Sequence, residues 1–376
     1  MRLDDDERDE LRQTARSFLD DTMSSARVRG LLDDDTGFDR TTWAKMGELG
    51  WPAIHIPERF GGMGASYTDV IVILHELGRH VAPTPFLASA VLGAEALMAG
   101  DNLSLRSAWL PDVASGQRLI TVAAAGTNGS HDPRSVGMSW ATTATVSTLS
   151  LTGTARFVPD AHVADGIIVA ATAPDGGVAF ALIDPAAAGV RITVEPTVDQ
   201  TRRLARVDLD RVDVAESQLL GEPGHLTGLQ HRLTSIGAVA VSADSLGAAE
   251  LMLEVTSQYA KERMQFGRPI GSFQAVKHHC ANMLIAVEAT RAAVAHAADA
   301  LDDPAEDLHG AASVAKSFSG PACSEVCQTA VQVHGGIGFT WEHDAHLYLK
   351  RAKLNEALFG STSWHRRRLA SQLLGP

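Results

Sequence analysis

The sequence predicts an α+β protein in three parts. These are an N-terminal α-helical domain over residues 1–117, a middle antiparallel β domain over 118–224 and a C-terminal α-helical bundle over 225–376. Two changes of pattern carry this prediction. In the first part apolar residues recur at helical spacing, as Leu11, Ala15, Phe18 and Leu19 do. Near residue 118 the chain turns to short β-branched runs punctuated by Gly, Pro and Asp. From His225 onward it returns to stretches dominated by Ala, Leu, Met and Glu, which favour helix. A chain of 376 residues is long enough for two or three domains around a sizeable core.

Within the first part, residues 3–30 read as one charged amphipathic helix, and Thr41 or Thr42 as the cap of a second helix through Leu49. The run PERFGGMGAS is a glycine-rich loop. It has no lysine-serine ending and follows no strand pattern, so it does not read as a phosphate cradle. Tyr67–Arg79 and Phe86–Ala99 follow as helices separated by VAPTP, with His75 and His80 read as surface or packing residues. The β part comprises RLITVAAAG, MSWATTATVSTLSLTG, ARFVPDAHVADGIIVAAT, GGVAFALID and VRITVEPTV, and ends near DRVDVAESQLLG.

A long helix runs from about Leu233 to Arg263, with Gly267 as its C-cap residue and Pro269 barring continuation. Ser272 reads as the N-cap of the next helix, through about Leu301. Gly320-Pro321 begins or bends another, and His334-Gly335-Gly336-Ile337-Gly338 ends it in a turn where backbone amides can meet an anion.

Composition sets outer bounds. The 45% hydrophobic and 20% charged content is that of an ordinary soluble globule. A net charge of −13 argues against nucleic acid held through phosphate contacts, while one local basic pocket would suffice for a small anion. No run approaches the roughly 20 apolar residues that span a bilayer, and MRLDDDERDELRQ lacks the apolar core of a signal peptide, so a cytoplasmic protein without a membrane partner is expected. Cys280, Cys323 and Cys327 are too few for a disulfide framework. Cys323 and Cys327 share a helix face, but no matching His/Cys pair completes a zinc site, so no metal is expected and buried free thiols are.

One residue on the long helix stands out. Around Asp244 the helical neighbours Gly237, Ala240, Val241, Gly247, Ala248 and Leu251 are all small or apolar. A lone carboxylate in such a stripe faces packed protein or a cavity. A carboxyl stripped of water holds a proton more readily, which suits a base beside something flat or long. The other reading is an ion pair with an Arg of a neighbouring helix, and the pattern alone does not choose between them.

The runs RMQFGRPIGSFQAVKH and VQVHGGIGFTWEHDAHLYLKRAK, together with ELGWPAIHIPERFGGMGASYTDVIVILHELGRH, resemble the acyl-CoA dehydrogenase family of flavoenzymes over nearly the whole chain. The resemblance implies that family's fold, with a helical domain, a middle β-barrel and a helical bundle. It also implies FAD, an acyl-CoA thioester substrate, and electron-transferring flavoprotein as electron acceptor. The assembly implied is a homotetramer or an α2β2 heterotetramer. In this family a carboxylate takes the α-proton while the β-hydride goes to flavin N5. Arg263, Phe266 and Gln274 match positions that hold the FAD diphosphate and adenine side. Gln332, Gly335 and Gly336 match positions through which a neighbouring subunit completes that pocket, and Ser361 and Ser363 match flavin contacts.

The departures from the family are as informative. Ala125-Gly126-Thr127-Asn128 stands where the family has Thr-Glu-Pro-Gly, and Phe157-Val158-Pro159 where it has Trp-Ile-Thr/Ser. The two hydroxyl donors are missing and Pro159 has no N–H to replace one, although Phe157 can still shield a flavin face. The usual catalytic glutamate, just before Gly-Thr, is Phe359, whose backbone N–H remains as a donor to the thioester oxygen. A second base position of the family matches Gly237 and is empty, whereas that of the bacterial steroid side-chain branch matches Asp244. Asp reaches about 1.5 Å less far than the Glu common there.

Three readings follow. The first is an FAD-dependent dehydrogenase of a bulky, branched or steroid-derived acyl-CoA with Asp244 as base. The second is a non-catalytic or half-site subunit of an α2β2 enzyme. The third is a flavin monooxygenase on the same fold, which the FAD-diphosphate motifs disfavour.

Overall fold

In the computed structural model, residues 2–130, 132, 135–142, 148–173, 176–226 and 228–375 are described. Within the run MSWATTATVSTLSLTG, residues 143–147 lie outside them. The chain divides into two units. One is built from Leu31–Ser66 and Pro83–Gly237, the other from Leu3–Gly30, Tyr67–Ala82 and the chain from Ala238 onward.

Helix α1 (Asp5–Thr22) opens on a capping box: the Asp4 carboxylate accepts from the Glu7 N–H while the Glu7 carboxylate accepts from that of Asp4, each at 2.9 Å. The single helix expected over 3–30 is broken at Met23-Ser24, where the chain restarts as α2 (Ser25–Leu32). Ser24 reaches forward to the Arg27 N–H, the competing local bond that favours serine at a helix start. Helix α3 (Arg40–Glu48) is capped by Asp39, not by Thr41 or Thr42. Its carboxylate accepts from the Thr41 N–H at 3.0 Å and from the Thr42 hydroxyl at 2.7 Å.

In PERFGGMGAS the amides of Gly61, Gly62, Met63, Gly64 and Ala65 all bond to carbonyls of residues 53–58, which leaves that loop's backbone committed to itself. Helix α4 (Tyr67–Arg79) has the expected bounds. Its first amides are capped from far along the chain by Asp302, which accepts from Tyr67 N at 2.6 Å and Thr68 N at 3.0 Å. The helix expected over Phe86–Ala99 begins as wider i→i+5 turns over Phe86–Gly93 before α5 (Ala94–Ala99). Helix α6 (Leu103–Ala114) is capped by Asn102.

One sheet then follows: β1 (Ile120–Ala123), β2 (Met138–Thr142), β3 (Thr148–Pro159), β4 (Gly166–Thr172), β5 (Val178–Ile183), β6 (Val190–Glu195) and β7 (Leu204–Ala215). The order is β1-β4-β2-β3-β7-β6, and β5 also pairs with β4, antiparallel. Leu151, Ile167, Val169, Val207, Val212 and Val214 bury one core. Two pairings differ from the antiparallel expectation. β1 runs parallel to β4, with Ile120 opposite Gly166, and β2 meets β4 in parallel at Ser139 and Thr172. Alternation of apolar residues reports which face is buried, not strand direction. The parallel start is fixed by Asp165, whose carboxylate accepts from Leu119 N at 2.7 Å while the Asp165 and Gly166 amides both bond to Leu119 O.

The helices of the bundle are α7 (Leu229–Glu262), α8 (Gln274–Asp302), α9 (Leu308–His334), α10 (Ala345–Ala357) and α11 (Thr362–Leu374). Between α7 and α8 lies a hairpin of β8 (Met264–Gln265) and β9 (Arg268–Pro269). Phe266 and Gly267 form its turn with φ of 52° and 76°, the left-handed pair a two-residue hairpin demands. Gly267 is therefore a hairpin residue and not a helix cap. Ser272 does not cap α8 either, since Phe273 holds that position without a side-chain bond. Pro321 lies inside α9, which runs unbroken past it.

By length and composition α7 is apolar enough to cross a bilayer, contrary to the expectation from counting apolar runs, but 83% of that stretch is buried inside the protein. It is a core helix.

Candidate active site

Helix α7 crosses α4 at small residues. A Cβ on Gly78 would stand 1.9 Å from the Asp244 carbonyl oxygen, and one on Gly247 1.9 Å from that of His75. The two backbones therefore touch, and Asp244 lies in packed interior at 2% exposure. One carboxylate oxygen accepts from Arg351 Nη1 at 2.9 Å and the other from Asn355 Nδ2 at 2.6 Å. Arg351 and Asn355 are one turn apart on α10 and both are buried. The second guanidinium nitrogen donates to the carbonyls of Val81 at 3.2 Å and Ala82 at 3.4 Å. Val81 is held at φ 41°, a rare conformation for a β-branched residue, which turns its carbonyl into this network. Of the two readings the sequence left open, the structure places Asp244 in the ion pair. Gly237 lies in the buried part of the same helix.

The turn that follows α10 carries Phe359, the residue that the sequence resemblance matches to a catalytic glutamate. Phe359 is buried with φ 56° and Gly360 has φ 101°, before Ser361 caps α11 through its hydroxyl. His365 Nε2 donates to the Phe359 carbonyl at 2.9 Å, and its Nδ1 meets Ser313 Oγ at 3.1 Å. Lys316 Nζ donates to the carbonyls of Glu356 at 2.8 Å and Gly360 at 3.0 Å. Burial pushes the Lys316 ammonium down to about 7, against a smaller upward pull from Glu356.

The residues matched to FAD positions are all on the surface of this chain. Arg263, Gln274, Gln332, Gly335, Gly336, Ser361 and Ser363 are exposed, and Phe266 shows 90% of its surface. Stacking of Tyr259 on His334, with ring centroids 4.4 Å apart, joins the last turn of α7 to the last turn of α9. Arg263 follows one turn beyond Tyr259, and the Gly335-Gly336 turn follows directly on His334. Arg263 has no carboxylate partner among the described residues, and a Cβ on either glycine would meet nothing within 4 Å. A cation without a carboxylate partner and an open backbone turn each suit a contact to a diphosphate. Ser361 and Ser363 keep their hydroxyls within 3.1 Å of each other.

The β-sheet side fits less well. The Arg156 guanidinium sits 4.5 Å over the Phe157 ring, held there by Glu195, and the Phe157 ring edge packs on Gly129. The ring expected to shield a flavin face already carries a cation on one face. Asn128 spends its side-chain oxygen on the Ser130 N–H.

The sequence reading missed four residues: Arg351, Asn355, Lys316 and His365. The signal that exposed Asp244 was present for Lys316, a single charge among small residues in AASVAKSFSG. Of the two readings of His75, surface or packing, the structure shows the packing one, with charged partners. His75 is buried between Glu76, at 3.2 Å, and Glu250, at 2.5 Å. Cys323 and Cys327 are buried free thiols as expected. Among the described residues no group of His, Cys, Asp and Glu is placed to hold a metal ion.

Comparison with known proteins gives the family. The model of the acyl-CoA dehydrogenase N-terminal domain matches residues 5–117, and that of the acyl-CoA dehydrogenase C-terminal domain matches 229–374. Acyl-CoA dehydrogenase IpdE2 of Mycolicibacterium smegmatis is 33% identical over 98% of this chain and 99% of its own. Among solved structures, the ChsE4-ChsE5 complex from Mycobacterium tuberculosis superposes with a TM-score of 0.90 at 29% identity, over 100% of this chain and 99% of the other. The Tcur3481-Tcur3483 steroid ACAD superposes with a TM-score of 0.89 at 30% identity, over 98% of both chains. With helices, one central sheet and a helical bundle in the same order, this chain belongs to the acyl-CoA dehydrogenase family.

Proposed function

We propose that this chain is one of two unlike subunits of an FAD-dependent acyl-CoA dehydrogenase, and that the carboxylate taking the α-proton comes from the other subunit. The observation that carries the reading is the commitment of both Asp244 oxygens to Arg351 and Asn355. A base needs a lone pair aimed at the substrate, and this carboxylate has both oxygens engaged by buried donors. The other family position offers Phe359, which cannot accept a proton. On this reading Asp244 serves the structure and the base lies on the other subunit, which favours the half-site alternative over Asp244 as base.

FAD, when bound, supplies the acceptor for the β-hydride. Arg263, Phe266, Gln274, Gln332, Gly335, Gly336, Ser361 and Ser363 would hold it, and their exposure suits a cofactor completed by a second chain. The Phe359 N–H polarises the thioester oxygen as negative charge develops there. The solved complex ChsE4-ChsE5 pairs two different chains, and the Tcur3481-Tcur3483 structure bears the description steroid, which supports an α2β2 assembly and a bulky, steroid-derived acyl group. We further propose electron-transferring flavoprotein as the acceptor, a cytoplasmic setting, and domain boundaries at 117/118 and 224/225.

The test is the visible spectrum of the chain purified alone and with an unlike acyl-CoA dehydrogenase chain, titrated anaerobically with steroid acyl-CoAs. Flavin that bleaches only in the two-chain assembly, and not once the other chain's carboxylate is removed, supports the proposal. A flavin-loaded single chain that bleaches, and ceases to do so on Asp244→Asn, overturns it.

A further inference from the structure

We infer that Lys316 and His365 are positioning residues that fix the direction of the Phe359 N–H, and with it this chain's hold on a thioester oxygen. The inference rests on the reading that this N–H is the oxyanion donor. The turn from Leu358 to Ser361 is short and irregular, with two consecutive residues at positive φ. Nothing in such a turn fixes its own peptide planes, so the direction of an N–H within it depends on what holds the neighbouring carbonyls.

Here they are held on both sides. His365 Nε2 takes the Phe359 carbonyl, and Lys316 Nζ takes both the Gly360 carbonyl after it and the Glu356 carbonyl before it. The Phe359 N–H thus lies between two anchored carbonyls. The donors are themselves fixed: Lys316 is 1% and His365 0% exposed, and Ser313, three residues before Lys316 on α9, sets the imidazole through Nδ1. Because Nε2 faces a carbonyl, the proton must be on that nitrogen.

Packing alone does not explain Lys316. A buried ammonium is costly, and Leu or Met would fill the same space without that cost. The Glu356 carboxylate does not bond it, since that group meets Ser324 and Lys353. What Lys316 supplies is two directed donors to one turn.

The experiment compares affinity for an acyl-CoA with affinity for its thioether analogue, in which the carbonyl is a methylene, on the flavin-loaded two-chain assembly. One net hydrogen bond corresponds to about a tenfold preference for the thioester in wild type. Lys316→Met and His365→Leu are expected to lose that preference while binding the thioether as wild type does, and His365→Gln, which keeps a donor, to recover part of it. Variants that keep the preference, or that lose both ligands equally, overturn the positioning role. A wild type with no preference overturns the reading of Phe359 itself and the inference with it. Should Lys316→Met fail to assemble, His365→Leu carries the same comparison, because His365 bonds the Phe359 carbonyl directly.

Discussion

Arg351 and Asp244 meet at 2.9 Å with side chains 2% and 3% exposed, so neither charge has water to turn to if the other is removed. Truncating one partner of a buried pair costs about 3–5 kcal/mol, whereas replacing both with apolar groups is often neutral. Asp244→Asn and Arg351→Met are each expected to lower stability by about that amount, and the Asp244→Leu/Arg351→Met double variant to recover most of it. Urea unfolding of wild type and the three variants measures this. A small effect of Asp244→Asn on unfolding, with activity abolished, would return Asp244 to the list of bases.

The crossing of α4 on α7 makes a second prediction, with an unusual sign. Ala in place of Gly within a helix normally stabilises by roughly 1 kcal/mol. At Gly78 the new Cβ would lie 1.9 Å from the Asp244 carbonyl, so the two helices must separate. Gly78→Ala should therefore destabilise by about 1–3 kcal/mol, read as a fall in Tm. An unchanged or raised Tm would mean that the crossing is looser than described.

His75 links α4 to α7 and sets a pH dependence. Burial pushes its imidazolium down, but bonds to Glu250 and Glu76 outweigh this and leave it raised above 6.5. Burial likewise works against Glu76 and Glu250, yet His75 with Arg16 on one side and Arg291 on the other holds each near 2. A raised histidine stabilises fully below pH 6.5 and loses that contribution as pH climbs through its folded value. The depressed glutamates stabilise above pH 4.5 and lose their contribution as pH falls toward 2. Stability should peak between these limits. His75→Gln should flatten the alkaline limb, which urea midpoints from pH 5 to 9 would register; a limb that persists assigns it to another group.

Much of this architecture is legible in the sequence wherever the cause is local. Helix α4 has the bounds read between the glycine-rich loop and VAPTP, and the burial of Asp244 follows from its small neighbours. What escaped depends on partners far along the chain. Asp244 is 107 residues from Arg351, and the cap of α4 is 235 residues from Tyr67. A stripe of small residues says that a charge is buried but not what it meets. The strand pattern likewise gave the sheet without the direction of β1 against β4, and Gly267 signalled a break without saying that the break is a hairpin.

Flavin retention offers the last prediction, because the exposed Arg263 has no carboxylate partner among the described residues. Arg29 is paired with Asp344, Arg79 with Glu254 and Arg351 with Asp244, while Arg263 has no such partner among the described residues. An exposed cation without a carboxylate partner is available to an anion, and a charge-assisted hydrogen bond contributes about 1.5–3 kcal/mol. Arg263→Ala should weaken FAD binding by roughly 10- to 150-fold, most at low salt, with little change in Tm of the flavin-free chain. Arg29→Ala, which breaks an ion pair elsewhere in the unit, should leave retention unchanged. Absorbance near the flavin bands after gel filtration of the two-chain assembly reads both. Equal losses in the two variants would assign the effect to folding, and no loss in either would remove Arg263 from the cofactor site.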